Sequence, residues 1–113
     1  MRMITAIIRP HKYDELRDAL VALGIEGITK TQVAGFGRQR GQTEIYRGRE
    51  YEVTDVPKLR IDVAVPSGMV DKALAEIEKV THTGKIGDGK IFVTPLERVI
   101  RIRTGEQNEN ALD

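Results

Sequence analysis

Residues 59–80 read LRIDVAVPSGMVDKALAEIEKV and carry two hydrophobic periods in succession. Leu59 to Val65 begins by alternating apolar and polar residues, the pattern of a half-buried strand. Pro66 ends it, because proline has no N–H to give a sheet ladder. Ser67 is expected to cap the helix that follows. Met69, Val70, Ala73, Leu74, Ile77 and Val80 then fall on one helical stripe.

The same spelling occurs earlier in the chain. Ile4 to Ile8 is a short apolar run closed by Arg9-Pro10. In KYDELRDALVALG, residues 12–24, the positions Tyr13, Leu16, Ala19, Leu20 and Leu23 have helical spacing. Gly24 stands where a helix C-terminal glycine belongs. Strands are expected from Ile28 to Phe36, where Thr29, Thr31 and Val33 suit a pleated surface, and from Ile91 to Thr94. The order is β-α-β, a long insert, then β-α-β. Two such units predict an α+β fold, a ferredoxin-like sandwich with one antiparallel sheet and both helices on one face. A mixed α/β domain shares this spelling, but 113 residues are too few for a doubly wound sheet.

That length suits one domain, 1–113, with a core that needs no staples. There is no cysteine, so disulfides and thiolate metal sites are excluded. His11 and His82 have no ligand spacing around them, and His82 is expected to be exposed at a helix end. Lys72 and Glu76 read as a solvated pair. The net charge of +1 does not predict a nucleic-acid surface. No run approaches the roughly 18 apolar residues of a membrane span. The apolar patch near Met1 is shorter than the roughly 7–15 residues of a signal peptide's core. A cytoplasmic protein is expected.

Residues 37–55 (GRQRGQTEIYRGREYEVTD) keep neither period. Arg38, Arg40, Arg47 and Arg49 balance Glu44, Glu50, Glu52 and Asp55. A segment this long is a solvated β-hairpin or a functional arm presenting Tyr46, Arg47 and Tyr51. Residues 100–103 alternate Ile100, Arg101, Ile102 and Arg103. If extended, they put both guanidinium groups on one side. Beyond Gly105 the tail is polar and reads as mobile.

Gly84-Lys-Ile-Gly-Asp-Gly89-Lys90 nearly spells a phosphate-binding P-loop. Two facts reject it. The order is helix, loop, strand, so no helix N-terminus faces the phosphate, and Ile91 stands where the magnesium-binding hydroxyl should be. What remains is a glycine loop that could admit an anion to the backbone, with Lys85 and Lys90 beside it, or a plain turn. Gly35-Phe-Gly37-Arg-Gln-Arg-Gly41 is a second glycine-rich loop beside basic residues. It is not a dinucleotide fingerprint, because its third glycine comes one residue late. With Arg101 and Arg103, the two loops together favour a triphosphate nucleotide.

GFGRQRGQTEIYRGREY (35–51), TGKIGDGKIFV (83–93) and RIRTGE (101–106) resemble the signature segments of the PII nitrogen-signalling proteins. The resemblance runs from the first strand to about Gly105. It implies a non-enzymatic homotrimer that binds ATP or ADP competitively in the clefts between subunits. Residues 37–55 would be its T-loop, 82–90 its B-loop and 101–109 its C-terminal loop. Gly87, Asp88, Gly89 and Lys90 would cradle phosphates, with Arg101 and Arg103 reaching in from the neighbour. Ile7, Thr29, Gly35, Gly37, Arg38, Asp62 and Ala64 would line the rest of the nucleotide site. Asp62 and Ala64 replace the longer Glu and Val of the family pattern.

The resemblance further implies 2-oxoglutarate as an effector bound with Mg-ATP. Its keto acid oxygens, the phosphates and Gln39 would complete the Mg²⁺ shell. Lys58 would pair with its distal carboxylate, and Gly37, Gly41 and Gly87 would lie against it. Tyr51 is a candidate for uridylylation by a separate uridylyltransferase. Arg49 stands where some members carry a phosphorylated serine. Arg47, with Tyr46 and Tyr51, would meet partners such as an ammonium transporter, recruiting the protein to the membrane, or other nitrogen-metabolism proteins. EVTDVPK (52–58) departs from the family pattern at Thr54-Asp55-Val56, and His11 and Tyr13 replace apolar residues.

Two other classes share the topology. A phosphohydrolase of acylphosphatase type needs an anion cradle after the first strand, and Arg9-Pro-His-Lys12 is basic but has no glycine nest. A single-stranded RNA binder needs aromatic residues on its sheet. Aromatics are 4% of this chain, and Phe36 and Phe92 make no such motif.

Overall fold

The computed structural model describes residues 1–36, 42–46, 49–53 and 55–112. Strand β1 (Arg2–Ile8) leads into helix α1 (Tyr13–Ala22) and strand β2 (Ile28–Gly35). Strands β3 (Gln42–Tyr46) and β4 (Arg49–Val53) follow, then β5 (Val56–Val65), helix α2 (Val70–Thr81) and β6 (Lys90–Pro95). The main sheet has the order β2-β5-β1-β6, with every pair antiparallel. This is the ferredoxin-like α+β arrangement that the repeated spelling predicts.

Alternation along the central strands makes the two faces. Ile4, Ala6 and Ile8 of β1 and Ile61, Val63 and Val65 of β5 are buried. They pack in one cluster with Leu16 and Leu20 of α1 and Ala73, Ile77 and Val80 of α2. Both helices therefore lie on one face. Each fully buried Leu or Ile there contributes about 1.5–3 kcal/mol. The register leaves the other set of side chains on the opposite face: Thr29 and Thr31, Arg60, Asp62 and Ala64, Met3, Thr5 and Ile7, Lys90 and Phe92. Among the described residues, α1 and α2 both pack on the other face.

Strand β5 starts at Val56, three residues before the predicted start, and includes Pro57. Pairing with β1 begins only at Leu59, so β5 is an edge over its first residues and tolerates a missing N–H. Pro10 and Pro66 each stop a strand and open one 3-10 turn, at 10–12 and 67–69, that feeds a helix. Ser67 is not the cap of α2. Its hydroxyl accepts a hydrogen bond from the Met1 amino group at 3.0 Å. Met69, before α2, is already in the helical region, so no extended residue is present to carry a side-chain cap.

Gly24 stands just beyond the end of helix α1, as predicted, with φ +87°. The Gly24 N–H donates to Val21 O and the Ile25 N–H to Leu20 O, a Schellman closure with buried Ile25 against buried Leu20. A Cβ at Gly24 would meet nothing within 4 Å, so only the backbone resists a side chain there. Gly24→Ala should destabilise the protein by about 1 kcal/mol, seen as a Tm lower by about 4 °C. An unchanged Tm would show that the left-handed turn is not required.

The segment 37–55 holds an antiparallel hairpin in which Gln42 pairs with Val53 and Tyr46 with Arg49. Tyr51 sits opposite Glu44. Gly37, Arg38, Gln39, Gly41 and Arg47 lie outside the described residues, as does Thr54. Two readings of the C-terminus are corrected. Residues 101–104 are not extended: the Arg101 N–H donates to Glu106 O and the Gly105 N–H to Arg101 O, closing a turn. The tail beyond Gly105 is a 3-10 turn, Asn108–Ala111, tied back by Asn108 N–H to Val99 O at 2.7 Å.

Candidate functional site

The glycine loop begins where α2 unwinds. His82 is extended, with ψ 129°, and 74% of its side chain is exposed, as expected of a helix end. Residues 82–89 then carry the chain back to β6. Gly84, Gly87 and Gly89 have φ of +82°, +105° and +96°, a conformation that side chains resist. Glycine at 89 has a second cause. A Cβ there would lie 1.7 Å from the Ile7 carbonyl oxygen, so the loop backbone rests directly on β1.

Asp88 holds the loop's shape. One carboxylate oxygen accepts the N–H groups of Thr83 and Gly84 at 2.8 and 2.9 Å. The other accepts the Thr83 hydroxyl and Arg9 Nε, the latter at 3.2 Å. These hydrogen bonds, those from Thr83 first, hold the Asp88 carboxyl well below the usual carboxylate range. Arg9 also donates through Nη2 to Ile86 O at 2.9 Å. Lys58, buried at the start of β5, donates through Nζ to Gly87 O. Burial lowers the Lys58 pKa from 10.5, Arg9 lowers it further, and Asp88 partly opposes them. The loop thus sits on two cations and one anion, with Lys90 opposite Ile7 at its exit.

An open cleft of about 700 Å³ adjoins this loop, lined by Ile7, Asp88, Gly89 and Lys90 together with Glu78, Lys79 and His82 at the end of α2. Not all the expected nucleotide residues meet there. Thr29 and Asp62 are paired across β2 and β5, and Asp62 is held by Thr5 Oγ1 at 2.5 Å and Arg60 Nε at 3.0 Å. Ala64 lies two residues further along the same uncovered face, and Gly35 ends β2 opposite Val56. Arg101 donates through Nη1 to Glu106 at 2.7 Å, and Arg103 stands within the C-terminal turn. Among the described residues the expected ones therefore fall into three groups: the loop with Lys58, the uncovered sheet face, on which Ile7 and Lys90 adjoin the loop, and the C-terminal turn.

Sequence reading missed Arg9 and Thr83. In the sequence Arg9 stands out only as the close of the first apolar run and as part of the basic stretch 9–12. Its contacts to Ile86 and Asp88 join residues nearly eighty positions apart, which no local pattern reports.

A family model described as Nitrogen regulatory protein P-II matches residues 1–106. The chain belongs to the P-II family. It is 54% identical over 112 residues to the Nitrogen regulatory protein GlnK of Escherichia coli (strain K12), covering 99% of this chain and all of that one. Nitrogen regulatory protein P-II of Azospirillum brasilense matches with the same identity and coverage. So does the P-II protein of Haemophilus influenzae. The matched region contains the hairpin, the glycine loop and the turn at 101–106, so all three groups of residues fall within P-II sequence.

Among the described residues, no helix of this P-II chain is long and apolar enough to cross a membrane. Likewise, no group of three or more His, Cys, Asp or Glu among them could hold a metal.

Proposed function

We propose that this P-II protein is a non-enzymatic integrator of nitrogen, carbon and energy status. Its nucleotide, ATP or ADP in competition, binds with phosphates on Gly87–Lys90. The observation that carries this reading is the loop itself: three glycines at positive φ, with Lys58, Arg9 and Lys90 around it. Missing side chains let an anion approach the backbone, and the cations favour it. The divided placement of the other residues fits a site shared between copies. Three chains joined through the uncovered sheet face would bring Thr29, Asp62 and Ala64, and a neighbour's Arg101 and Arg103, towards one nucleotide. Half-exposed Phe92 on that face favours such burial.

The second effector is 2-oxoglutarate, taken up only with Mg-ATP. Mg²⁺ prefers octahedral oxygen coordination, which the phosphates and the keto acid largely supply. From the protein only Gln39 would join that shell, and Gln39 lies outside the described residues. Lys58 would hold the distal carboxylate, and Gly37, Gly41 and Gly87 would pack against the effector. ADP lacks the γ-phosphate and cannot build the same complex, so binding reports carbon supply and energy together. The hairpin segment 37–55 would change its population of states with the effectors. Its partners in the cytoplasm would be an ammonium transporter or nitrogen-assimilation enzymes, met through Tyr46, Arg47 and Tyr51. Tyr51 would be the position a uridylyltransferase modifies.

The phosphohydrolase alternative has less support, because Arg9 is engaged by Asp88 and Ile86 O rather than facing an anion cradle after β1.

Calorimetric titration of 2-oxoglutarate with Mg-ATP, and again with Mg-ADP, tests the reading. Binding is expected with ATP alone, and Gln39→Ala should remove it. Nucleotide binding without 2-oxoglutarate binding would leave an energy sensor and refute the carbon signal. The altered end at Thr54-Asp55-Val56 would then be the segment to examine.

A further inference from the structure

The expectation that Asp88 cradles phosphate sits awkwardly with its chemistry. An ionised carboxylate repels a triphosphate, and this one is strongly held in its ionised form. Both of its oxygens are already engaged by four donors: Thr83 N–H, Thr83 hydroxyl, Gly84 N–H and Arg9 Nε. A carboxylate offers about four acceptor positions, so little capacity remains. Three of these donors belong to the start of the loop and the fourth to the end of β1, while Arg9 spans from Asp88 to Ile86 O. Together they tie the start of the turn 83–88 to its end, and Arg9 ties the turn to the chain just after β1.

We propose that Arg9, Thr83 and Asp88 form a clasp that positions the loop for its ligand, with Asp88 acting through the loop backbone and not by touching phosphate. This rests on the nucleotide reading above. The clasp would also let a loop with three conformationally free glycines hold one shape. Each glycine raises the entropy of the unheld loop, and an unheld loop would have to be ordered by the nucleotide at a cost in affinity. The Asp88 charge also sits beside Arg9 and Lys58, two cations that would otherwise repel each other beneath the loop.

The two roles predict opposite signs. Were Asp88 a charge facing the phosphates, Asp88→Asn would remove repulsion and tighten ATP binding. As a clasp, it should weaken binding by about tenfold, the worth of hydrogen bonds to a charged group. Thr83→Val should weaken it comparably without changing any charge. Arg9→Gln combined with Asp88→Asn should cost less than the sum of the two single losses, since the two share one interaction.

The measurement is Mg-ATP titration of the full chain and these variants, with amide hydrogen exchange at Thr83 and Gly84 read in parallel. Faster exchange at those two amides in Asp88→Asn, with weaker ATP binding and a folded protein, supports the clasp. Unchanged or tighter binding with unchanged exchange overturns it. Additive losses for Arg9 and Asp88 would also overturn it. If the unsubstituted chain binds no ATP, the nucleotide reading fails, and exchange at Thr83 and Gly84 alone decides the clasp: faster supports it, unchanged overturns it.

Discussion

Gly89→Ala should lose about 2–4 kcal/mol of stability, a fall in Tm of about 10 °C or more, and should release the loop from the sheet. Two costs combine. A side chain at φ +96° carries left-handed strain of about 1 kcal/mol. The larger cost is steric: the new Cβ would sit 1.7 Å from Ile7 O and 2.8 Å from Ile7 C, both backbone atoms of a central strand. Strand β1 is hydrogen-bonded on both sides, by β5 and by β6, and cannot move aside. The loop must yield instead, which would pull Asp88 from Thr83 and Arg9 and disturb the pairing of Lys90 with Ile7. Thermal unfolding compared across Gly84→Ala and Gly89→Ala isolates the steric part. Gly84 has a similar φ of +82°, yet a Cβ there meets nothing nearer than the exposed His82 ring at 3.7 Å. Equal losses for the two variants would show that the close approach to β1 is not what selects glycine.

That comparison also marks what could be read in the residues. The fold was legible because it rests on a local spelling repeated twice: an apolar strand, a proline stop and a helical stripe, at 4–24 and again at 59–80. Gly24 was legible for the same reason, since a Schellman closure involves only the last turn of its own helix. The glycine loop was recognised as special, but the cause at Gly89 lies in a contact with Ile7, eighty-two positions earlier, and no spacing rule encodes it. How the Asp88 side chain is held was not legible for a related reason. Its motif neighbours suggest phosphate, while its partners Thr83 and Arg9 show its oxygens to be already engaged. The four-residue alternation at 100–103 is too short to separate a strand from a turn. There the decisive factor is Gly105, at φ +75°, which lets its N–H return to Arg101 O. Ser67 failed as a cap because the 3-10 turn after Pro66 displaces the start of α2 to Val70.

Replacing Lys58 by methionine should abolish 2-oxoglutarate binding in the presence of Mg-ATP, by about 100-fold or more, while the fold survives. Methionine keeps most of the length of the buried stem and removes the ammonium. The loss of fold stability is small because two effects oppose one another. The hydrogen bond to Gly87 O disappears, yet so do the desolvation of a buried charge and its repulsion by Arg9. Binding has no such offset, since the effector's distal carboxylate would lose its proposed counter-charge, a loss of about 3 kcal/mol or more. The pH dependence separates these contributions. The folded-state pKa of Lys58 lies below 10.5, so with rising pH the folded protein loses this proton before the unfolded chain does. Between the two values the unfolded chain holds more protons, and this group's contribution to stability rises with pH. Affinity for the dicarboxylate moves the other way, falling as the ammonium discharges. The difference between the unsubstituted protein and Lys58→Met should therefore show stability and 2-oxoglutarate affinity changing in opposite directions through the alkaline range. Calorimetry and denaturant unfolding at matched pH measure both. Undiminished 2-oxoglutarate affinity in Lys58→Met would remove Lys58 from the effector site and leave it only as the support beneath Gly87.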